Sequence, residues 1–380
     1  MEIIPYQEEH RIFRDTFRKF LEKEIIPHID DWEEEGIVPR WAWKKLGENG
    51  FLCTAVPAQY GGLGADFLYS AILVEEMAKA NFYGLSARLH SDVVVPYILA
   101  FASEEQKKKY LPMCIAGDML TAIAMTEPAA GSDVAGIKTT AREEKDSFIL
   151  NGQKTFISNG INCDLVIVAA KDPQVEDSHA AVDLFLVEVG TPGFEKGKKL
   201  KKIGWRSQDT AELFFHDCHI PKENRLGEKG TGFKKLMKNL QQERLICAIG
   251  AISAAEFMLA ETIKYCKQRE VFGKPLTRFQ NTQFTLAEMA AEVKIGRTFV
   301  DKLIVDHWEK NNIVIDVSMA KFWVTEMAGR VADRCLQLFG GYGYCEEYPI
   351  ARAWRDIRIT RILAGTNEIM KQIISKAISM

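Results

Sequence analysis

From position 121 to about 217 the chain is written in short apolar runs rich in β-branched residues; on both sides of that stretch it is written in helical periods. A half-buried strand repeats every two residues and an amphipathic helix every 3.6, so one pattern cannot serve as the other. The change of period divides the chain into three blocks: helical over 1–120, β over 121–228, and helical again over 229–380. In the first block Ile12, Phe13, Phe17, Phe20, Leu21 and Ile25 recur at helical spacing until Pro27 interrupts. Segments 70–79 and 103–110 repeat that character, the second opening on Ser103-Glu104-Glu105-Gln106, which has the form of a capping box. The middle block holds runs at 121–126, 147–150, 154–157, 165–169, 184–189 and 213–216. Asn151-Gly152 between two of them is a hairpin signal, and strands at this spacing predict a compact sandwich or barrel. After Gly227-Glu228-Lys229-Gly230-Thr231-Gly232 long helices return until about Ser375.

At 380 residues and 47% hydrophobic, the chain can fill two or three domain cores. A net charge of −3 with no basic stripe gives no reason to expect nucleic acid. No run approaches the ~18 apolar residues of a membrane span. The start, Tyr6-Gln7-Glu8-Glu9-His10-Arg11-Ile12-Phe13, enters amphipathic helix and carries acids, unlike a signal or transit peptide. Eight scattered cysteines without a C-x-x-C pair read as buried free thiols, and seven histidines show no metal-ligand spacing. The expected compartment is the cytosol, or an organelle matrix for a processed chain.

Several short segments carry chemistry. Met125-Thr126-Glu127-Pro128-Ala129-Ala130-Gly131-Ser132-Asp133 offers a hydroxyl and several N–H groups where small residues let a ligand approach, although such compositions also end ordinary strands. Phe156-Ile157-Ser158-Asn159-Gly160 is, by itself, a strand end and a turn. In Arg269-Glu270-Val271-Phe272-Gly273-Lys274-Pro275 a planar guanidinium suits a pyrophosphate, or simply caps a helix. Gln337-Leu338-Phe339-Gly340-Gly341-Tyr342-Gly343-Tyr344 is too glycine-rich for a helix interior and ends one. Beyond Phe233, the positions Phe233, Leu236, Leu240, Cys247 and Gly250 form one inward stripe, and Glu243 lies on it; Lys234, Lys238 and Gln241 take the outer side. An acid on the apolar stripe is either a buried base or half of a structural ion pair.

These segments, in this order and spacing and across essentially the whole chain, resemble the acyl-CoA dehydrogenase family. The resemblance implies a mainly α fold with a central β domain: an N-terminal helical domain, a middle β-barrel or sandwich and a C-terminal four-helix bundle. It implies FAD, met by Met125, Thr126, Ser132, Phe156, Ile157, Ser158, Arg269, Phe272, Gln280, Gln337, Gly340, Gly341, Thr366, Asn367 and Glu368. The Gln337–Gly341 part reaches the flavin of a neighbouring subunit, so a homotetramer built as a dimer of dimers is implied as well. On the substrate side it implies Ser132, Gln241, Gln242, Arg244 and Gly365. At Ala129-Ala130-Gly131-Ser132 the chain departs from the more usual Gly-Ala-Gly-Ser, which a backbone without positive φ there accommodates.

The family removes a proton from Cα of an acyl-CoA thioester and a hydride from Cβ. Short- and medium-chain members carry the base just before the Gly-Thr-x-Glu core, where this chain has Ala364. In the long-chain and isovaleryl-CoA branch that position is small and the base sits in the segment resembled by Leu240-Gln241-Gln242-Glu243-Arg244-Leu245. The expectation is therefore Glu243 as base, with the Ala364 N–H polarising the thioester carbonyl and electron-transfer flavoprotein as acceptor. Other readings are an acyl-CoA oxidase, an alicyclic or dicarboxylic acyl-CoA dehydrogenase, and a non-catalytic flavoprotein scaffold. Leu85-Ser86 replaces a Pro-Gly of the long-chain enzyme beside the acyl pocket, and Arg88 either meets a polar acyl end or is solvated. Asp92 is a second oddity, structural or substrate-facing.

Overall fold

The computed structural model describes residues 3–379. The first helical block contains α1 (Glu8–Phe20), α2 (Ile29–Glu35), α3 (Arg40–Glu48), α4 (Phe67–Lys79), α5 (Val95–Phe101) and α6 (Glu104–Ile115). Pro27 acts as its lack of an N–H requires: α1 loosens into a π turn at Leu21–Ile25 and a 3₁₀ turn at Ile26–His28 before α2 begins. The Ser103–Gln106 capping box forms, with both reciprocal bonds present at the start of α6. A π-helical segment, Leu89–Val94, runs directly into α5.

The middle block is one seven-stranded sheet of β1 (Thr121–Ala124), β2 (Thr140–Glu143), β3 (Ser147–Ser158), β4 (Leu165–Lys171), β5 (Val182–Glu188), β6 (Phe194–Lys199) and β7 (Thr210–Pro221). Its order is β1-β4-β2-β3-β7-β6, with β5 added to β4. Alternation along β4 gives the sheet two apolar faces. Leu165, Ile167 and Ala169 join the core of the N-terminal helices, while Val166, Val168 and Ala170 pack with Phe148, Phe185 and Phe215.

Asn151-Gly152 is not a hairpin turn. It lies inside β3, where the pairing with β7 shifts register between Leu150 and Gly152. Asn151 exchanges two hydrogen bonds with Asp217 of β7, Nδ2 to Oδ1 at 3.0 Å and Asp217 N–H to Oδ1 at 2.9 Å. A Cβ at Gly152 would sit 2.4 Å from Thr139 Oγ1, so the glycine admits a close crossing rather than a reversal. Strands β2 and β6 escape sequence pattern because Arg142, Glu143, Lys196 and Lys199 break any apolar run.

The last block contains α7 (Gly232–Gln268), a two-strand clip of β8 (Glu270–Val271) and β9 (Lys274–Pro275), then α8 (Gln280–Trp308), α9 (Val314–Phe339), α10 (Pro349–Ile357) and α11 (Asn367–Ile378). Leu245, Ile249, Ile252 and Met258 of α7 pack with Val300 of α8 and Val324 and Val331 of α9, each nearly or fully buried and contributing about 1.5–3 kcal/mol. The expectation that no run reaches membrane-spanning character needs correction. By length and composition α7 qualifies, and 72% of its apolar window is buried inside the fold, as befits the central helix of a core. Of the eight cysteines, all free, seven are buried and Cys345 is exposed.

Candidate active site

Glu243 sits where the stripe on α7 places it, 7% exposed. Its Oε1 accepts a hydrogen bond of 2.9 Å from the Tyr97 hydroxyl of α5, itself fully buried. Burial pushes the Glu243 carboxyl up to about 7; the Tyr97 hydroxyl and the Arg244 guanidinium, which favour the anion, only partly oppose it. No ion pair within the described residues holds Glu243, so the structural-pair reading finds no partner. Tyr97 carries no signal of its own in the sequence, reading as one more apolar position of α5.

α7 meets the loop 364–366 at the next residue. Arg244 is 5% exposed, its Nε is without an acceptor, and its Nη2 lies 3.9 Å from where a Cβ on Gly365 would stand. Ala364 adopts φ +55 and Gly365 φ +87, two left-handed residues in succession. For alanine that conformation costs about 1–2 kcal/mol, so neighbouring contacts must hold it. They come from Lys321 of α9, fully buried, whose Nζ donates to the Gly365 carbonyl at 2.8 Å and to Asn367 Oδ1 at 2.9 Å. Thr366 accepts from the Ile369 N–H at 3.3 Å and caps α11.

On the sheet, Thr155 N–H donates 2.9 Å to the Thr126 carbonyl, tying the Met125-Thr126 segment to the end of β3. Lys154, fully buried, donates to the Met125 carbonyl at 3.1 Å and to Glu127 Oε1 at 2.8 Å. Burial pulls Lys154 down to about 8, with Glu127 resisting. Burial would raise Glu127, but Lys154 and the Lys138 and Thr139 N–H groups outweigh it and hold it below the usual range. Phe156, next in β3, is turned out at φ +59 and is 67% exposed. A large ring held in the open by a strained backbone, beside Met125 and Thr126, is an apolar bed for a planar ring system. Ser132 is exposed on the loop beyond, and neither Ala129 nor Ala130 has positive φ, so the departure from glycine is accommodated.

At the far end of α7, Arg269 closes the helix with its guanidinium 5.5 Å from the Tyr342 ring centre. Phe272 is 95% exposed at φ +48, Gln280 and Gln337 are exposed, and a Cβ on Gly340 or Gly341 would meet nothing within 4 Å. The ring bed beside β3, and separately the open glycine platform with Arg269 beyond α7, are surfaces that suit the ring and the pyrophosphate of a flavin dinucleotide.

Other residues named from the sequence are used differently. Ile157 is 2% exposed and packs in the sheet core, so only its backbone faces the bed; Ser158, half-buried, pairs with Thr210 in β7. Asn367 is engaged entirely inward with Lys321, Thr325 and Glu326, leaving Glu368 exposed. An adenosine contact by the Asn367 side chain would break that network. Gln241 bonds His307 and the Ile313 N–H, while Gln242 donates to the Asp92 carbonyl at 2.6 Å and faces His307. Both glutamines therefore brace α7 against α8 and the Leu89–Val94 segment. Arg88 is only half-buried, its guanidinium lies over the rings of Trp205 and Tyr83, and burial lowers its pKa. Leu85, 2% exposed, walls a small cavity next to it, and Ser86 accepts a hydrogen bond from Gln208.

Comparison with known proteins gives the family. The family models for the acyl-CoA dehydrogenase N-terminal, middle and C-terminal domains match residues 7–118, 122–218 and 230–379. The long-chain specific acyl-CoA dehydrogenase of Sus scrofa mitochondria is 47% identical over 374 residues, covering 98% of this chain and 87% of that protein. The mitochondrial isovaleryl-CoA dehydrogenase of Pongo abelii is 36% identical over 374 residues, 97% of this chain and 88% of that one. The crystal structure of an acyl-CoA dehydrogenase from Geobacillus kaustophilus superposes with TM-score 0.97 at 56% identity, covering 99% of both chains. With all three of its blocks matched in order, this chain belongs to the acyl-CoA dehydrogenase family of FAD-dependent oxidoreductases.

Proposed function

We propose that the chain oxidises an acyl-CoA thioester to the trans-2-enoyl-CoA, with Glu243 as the base for the Cα proton. The observation that carries this is a single carboxylate buried on α7 beside Tyr97, its pKa near 7, facing no cation in an ion pair. A base is most effective when its pKa lies near the working pH, and burial supplies that here. The Ala364 N–H, presented by the left-handed turn, donates to the thioester carbonyl and acidifies Cα. Arg244, whose Nε has no acceptor and whose Nη2 lies beside Gly365, stabilises the same loop as charge develops.

Bound FAD supplies the acceptor for the Cβ hydride. Met125, Thr126 and Phe156 bed its ring, Ser132 meets the CoA portion, and Arg269 with Gln280 and the Gly340-Gly341 platform takes the dinucleotide across a contact between copies of the chain. Such a shared site needs at least two copies, which the family resemblance extends to a homotetramer built as a dimer of dimers, with electron-transfer flavoprotein as the acceptor that removes the electrons. The test is anaerobic mixing of the FAD-loaded protein with a panel of straight, branched and ring-bearing acyl-CoAs while following flavin absorbance. Wild type bleaches and Glu243→Gln loses most of the rate. No bleaching by any acyl-CoA would sink the dehydrogenase reading; bleaching that survives the substitution would sink only the assignment of the base. Reoxidation by electron-transfer flavoprotein rather than by air separates dehydrogenase from oxidase.

A further inference from the structure

Arg88 is a half-buried cation that, among the described residues, forms an ion pair with no carboxylate, although Asp92 lies near enough to favour its charge. Its neighbours are the ring faces of Trp205 at 4.9 Å and Tyr83 at 5.4 Å. Among the described residues, no oxygen accepts a hydrogen bond from its guanidinium, though it has five N–H donors to satisfy. Leaving such donors unmet is costly, so a third party is called for. The side chain keeps accessible surface, because it lines a cavity of about 30 Å³ walled by Phe17, Phe51, Leu73 and Leu85. Asp92 lines the same cavity, its Oδ1 accepting from the Ser70 hydroxyl at 2.6 Å rather than pairing with Arg88. One positive and one negative group thus face a space with room for about two waters. A neutral oxygen fits that volume and leaves the two charges balanced, whereas a carboxylate would add a second buried anion.

The cavity also has a position relative to Glu243. Glu243, Cys247 and Gly250 are spaced four and three residues apart on α7 and share one face. A Cβ on Gly250 would lie 2.8 Å from Arg88 Nη1 and 3.7 Å from Val74, which also lines the cavity. The glycine therefore makes room for the guanidinium on the face that carries the base. Seven residues of helix rise about 10 Å, a distance spanned by about eight carbon–carbon bonds of ~1.5 Å at tetrahedral angles.

We propose that Arg88 and Asp92 form a subsite for one neutral oxygen, a hydroxyl or carbonyl, near the tenth carbon of the acyl chain, so that oxygen-bearing acyl-CoAs are taken in preference to plain ones of equal length. The direction and length rest on the reading of Glu243 as the base. The competing account is a resident water that no substrate displaces, under which the plain chain binds as well as the oxygenated one.

Binding is measured by calorimetry on FAD-loaded Glu243→Gln protein, so that turnover does not interfere, with decanoyl-CoA, 10-hydroxydecanoyl-CoA and decanedioyl-CoA. The hydroxy ligand should bind at least tenfold tighter than decanoyl-CoA, and adding Arg88→Met should bring the ratio within about twofold of unity. Equal binding with Arg88 present, a preference that survives Arg88→Met, or preference for the dicarboxylate over the hydroxy ligand would each overturn the proposal. Should Arg88→Met fail to retain FAD, the 8-, 10- and 12-carbon ω-hydroxy series on the arginine-bearing protein decides: a maximum at ten supports the subsite, and a flat series refutes it. Bleaching of the Glu243→Gln flavin by decanoyl-CoA would instead refute the base while leaving the binding ratios to stand.

Discussion

Replacing Tyr97 by Phe removes one hydroxyl from the site and nothing else of its shape, so its consequence for Glu243 can be worked out. The Tyr97 hydroxyl donates to Oε1 at 2.9 Å and is one of two groups favouring the anion against burial. A hydrogen bond to a charged group contributes about 1.5–3 kcal/mol, and each pKa unit is about 1.4 kcal/mol. Its loss should raise the Glu243 carboxyl from about 7 by roughly one to two units. The base acts only when ionised, so the rising limb of kcat/KM against pH moves to higher pH by that amount. At pH 7 the ionised fraction falls from about a half to between about 0.1 and 0.01, a loss of roughly 5- to 50-fold in kcat/KM. Above about pH 10 the two enzymes should converge. The assay is the pH dependence of kcat/KM for the reductive half-reaction, since this ratio reports groups on the free enzyme. A Tyr97→Phe enzyme whose rate is depressed equally at every pH, with the limb unmoved, would refute the argument. So would a limb that moves to lower pH, because the hydrogen bond would then be favouring the neutral acid.

Three further outcomes follow from buried charges. Lys154→Met leaves Glu127 buried without its cation and should destabilise the protein by about 3–5 kcal/mol; denaturant unfolding measures this, and flavin absorbance should show reduced FAD retention as the Met125-Thr126 segment loosens. Lys321→Met strips donors from the Gly365 carbonyl and Asn367, and kcat should fall at least about tenfold while KM changes little, because the displaced Ala364 N–H acts mainly on developing charge; an unchanged kcat would contradict the role of that loop. Asp356, which accepts the Trp205 N–H at 2.8 Å, is raised by burial from 3.8 to about 7. Between those pH values the native state holds a proton that the unfolded chain has released, so this group makes stability fall as pH rises, by at most about 4 kcal/mol. Asp356→Asn should remove that slope from unfolding curves taken between pH 4 and 8, gaining most on wild type at the alkaline end.

What could be read in advance was what local period encodes. Glu243 lies at helical spacing between Leu236 and Gly250, so its burial was legible, as was the capping box at Ser103, whose partners are three residues apart. What could not be read depends on partners distant in sequence. Tyr97 meets Glu243 across 146 residues, and Lys321 meets Asn367 across 46. A lysine in a sequence reads as surface; Lys154 and Lys321 are interior only because carbonyls and a carboxylate from other elements converge on them. Asn151-Gly152 misleads for the same reason. The pair has the chemistry of a tight turn, but Asp217 of β7 supplies the hydrogen bonds that a reversal would otherwise make within β3.

The proposed function puts the base on α7 and not in the turn at position 364, which has supports of its own. The conformation there is left-handed and unfavourable for alanine, so the alanine side chain cannot be what maintains it. The grip is on either side: Lys321 on the Gly365 carbonyl, and Thr366 capping α11 through the Ile369 N–H. Because both contacts are to main chain or to neighbouring side chains, the side chain at 364 is free to be an acid or a methyl while its N–H keeps one direction. On α7, burial raises the acid to about 7, against the Tyr97 hydroxyl from α5 and the Arg244 guanidinium, which both favour the anion. In the proposed mechanism, oxyanion stabilisation and proton abstraction fall to separate elements, the loop after α10 and the middle of α7. Substitutions that tune the base, such as Tyr97→Phe, should for that reason leave carbonyl polarisation intact, and substitutions at Lys321 should do the reverse.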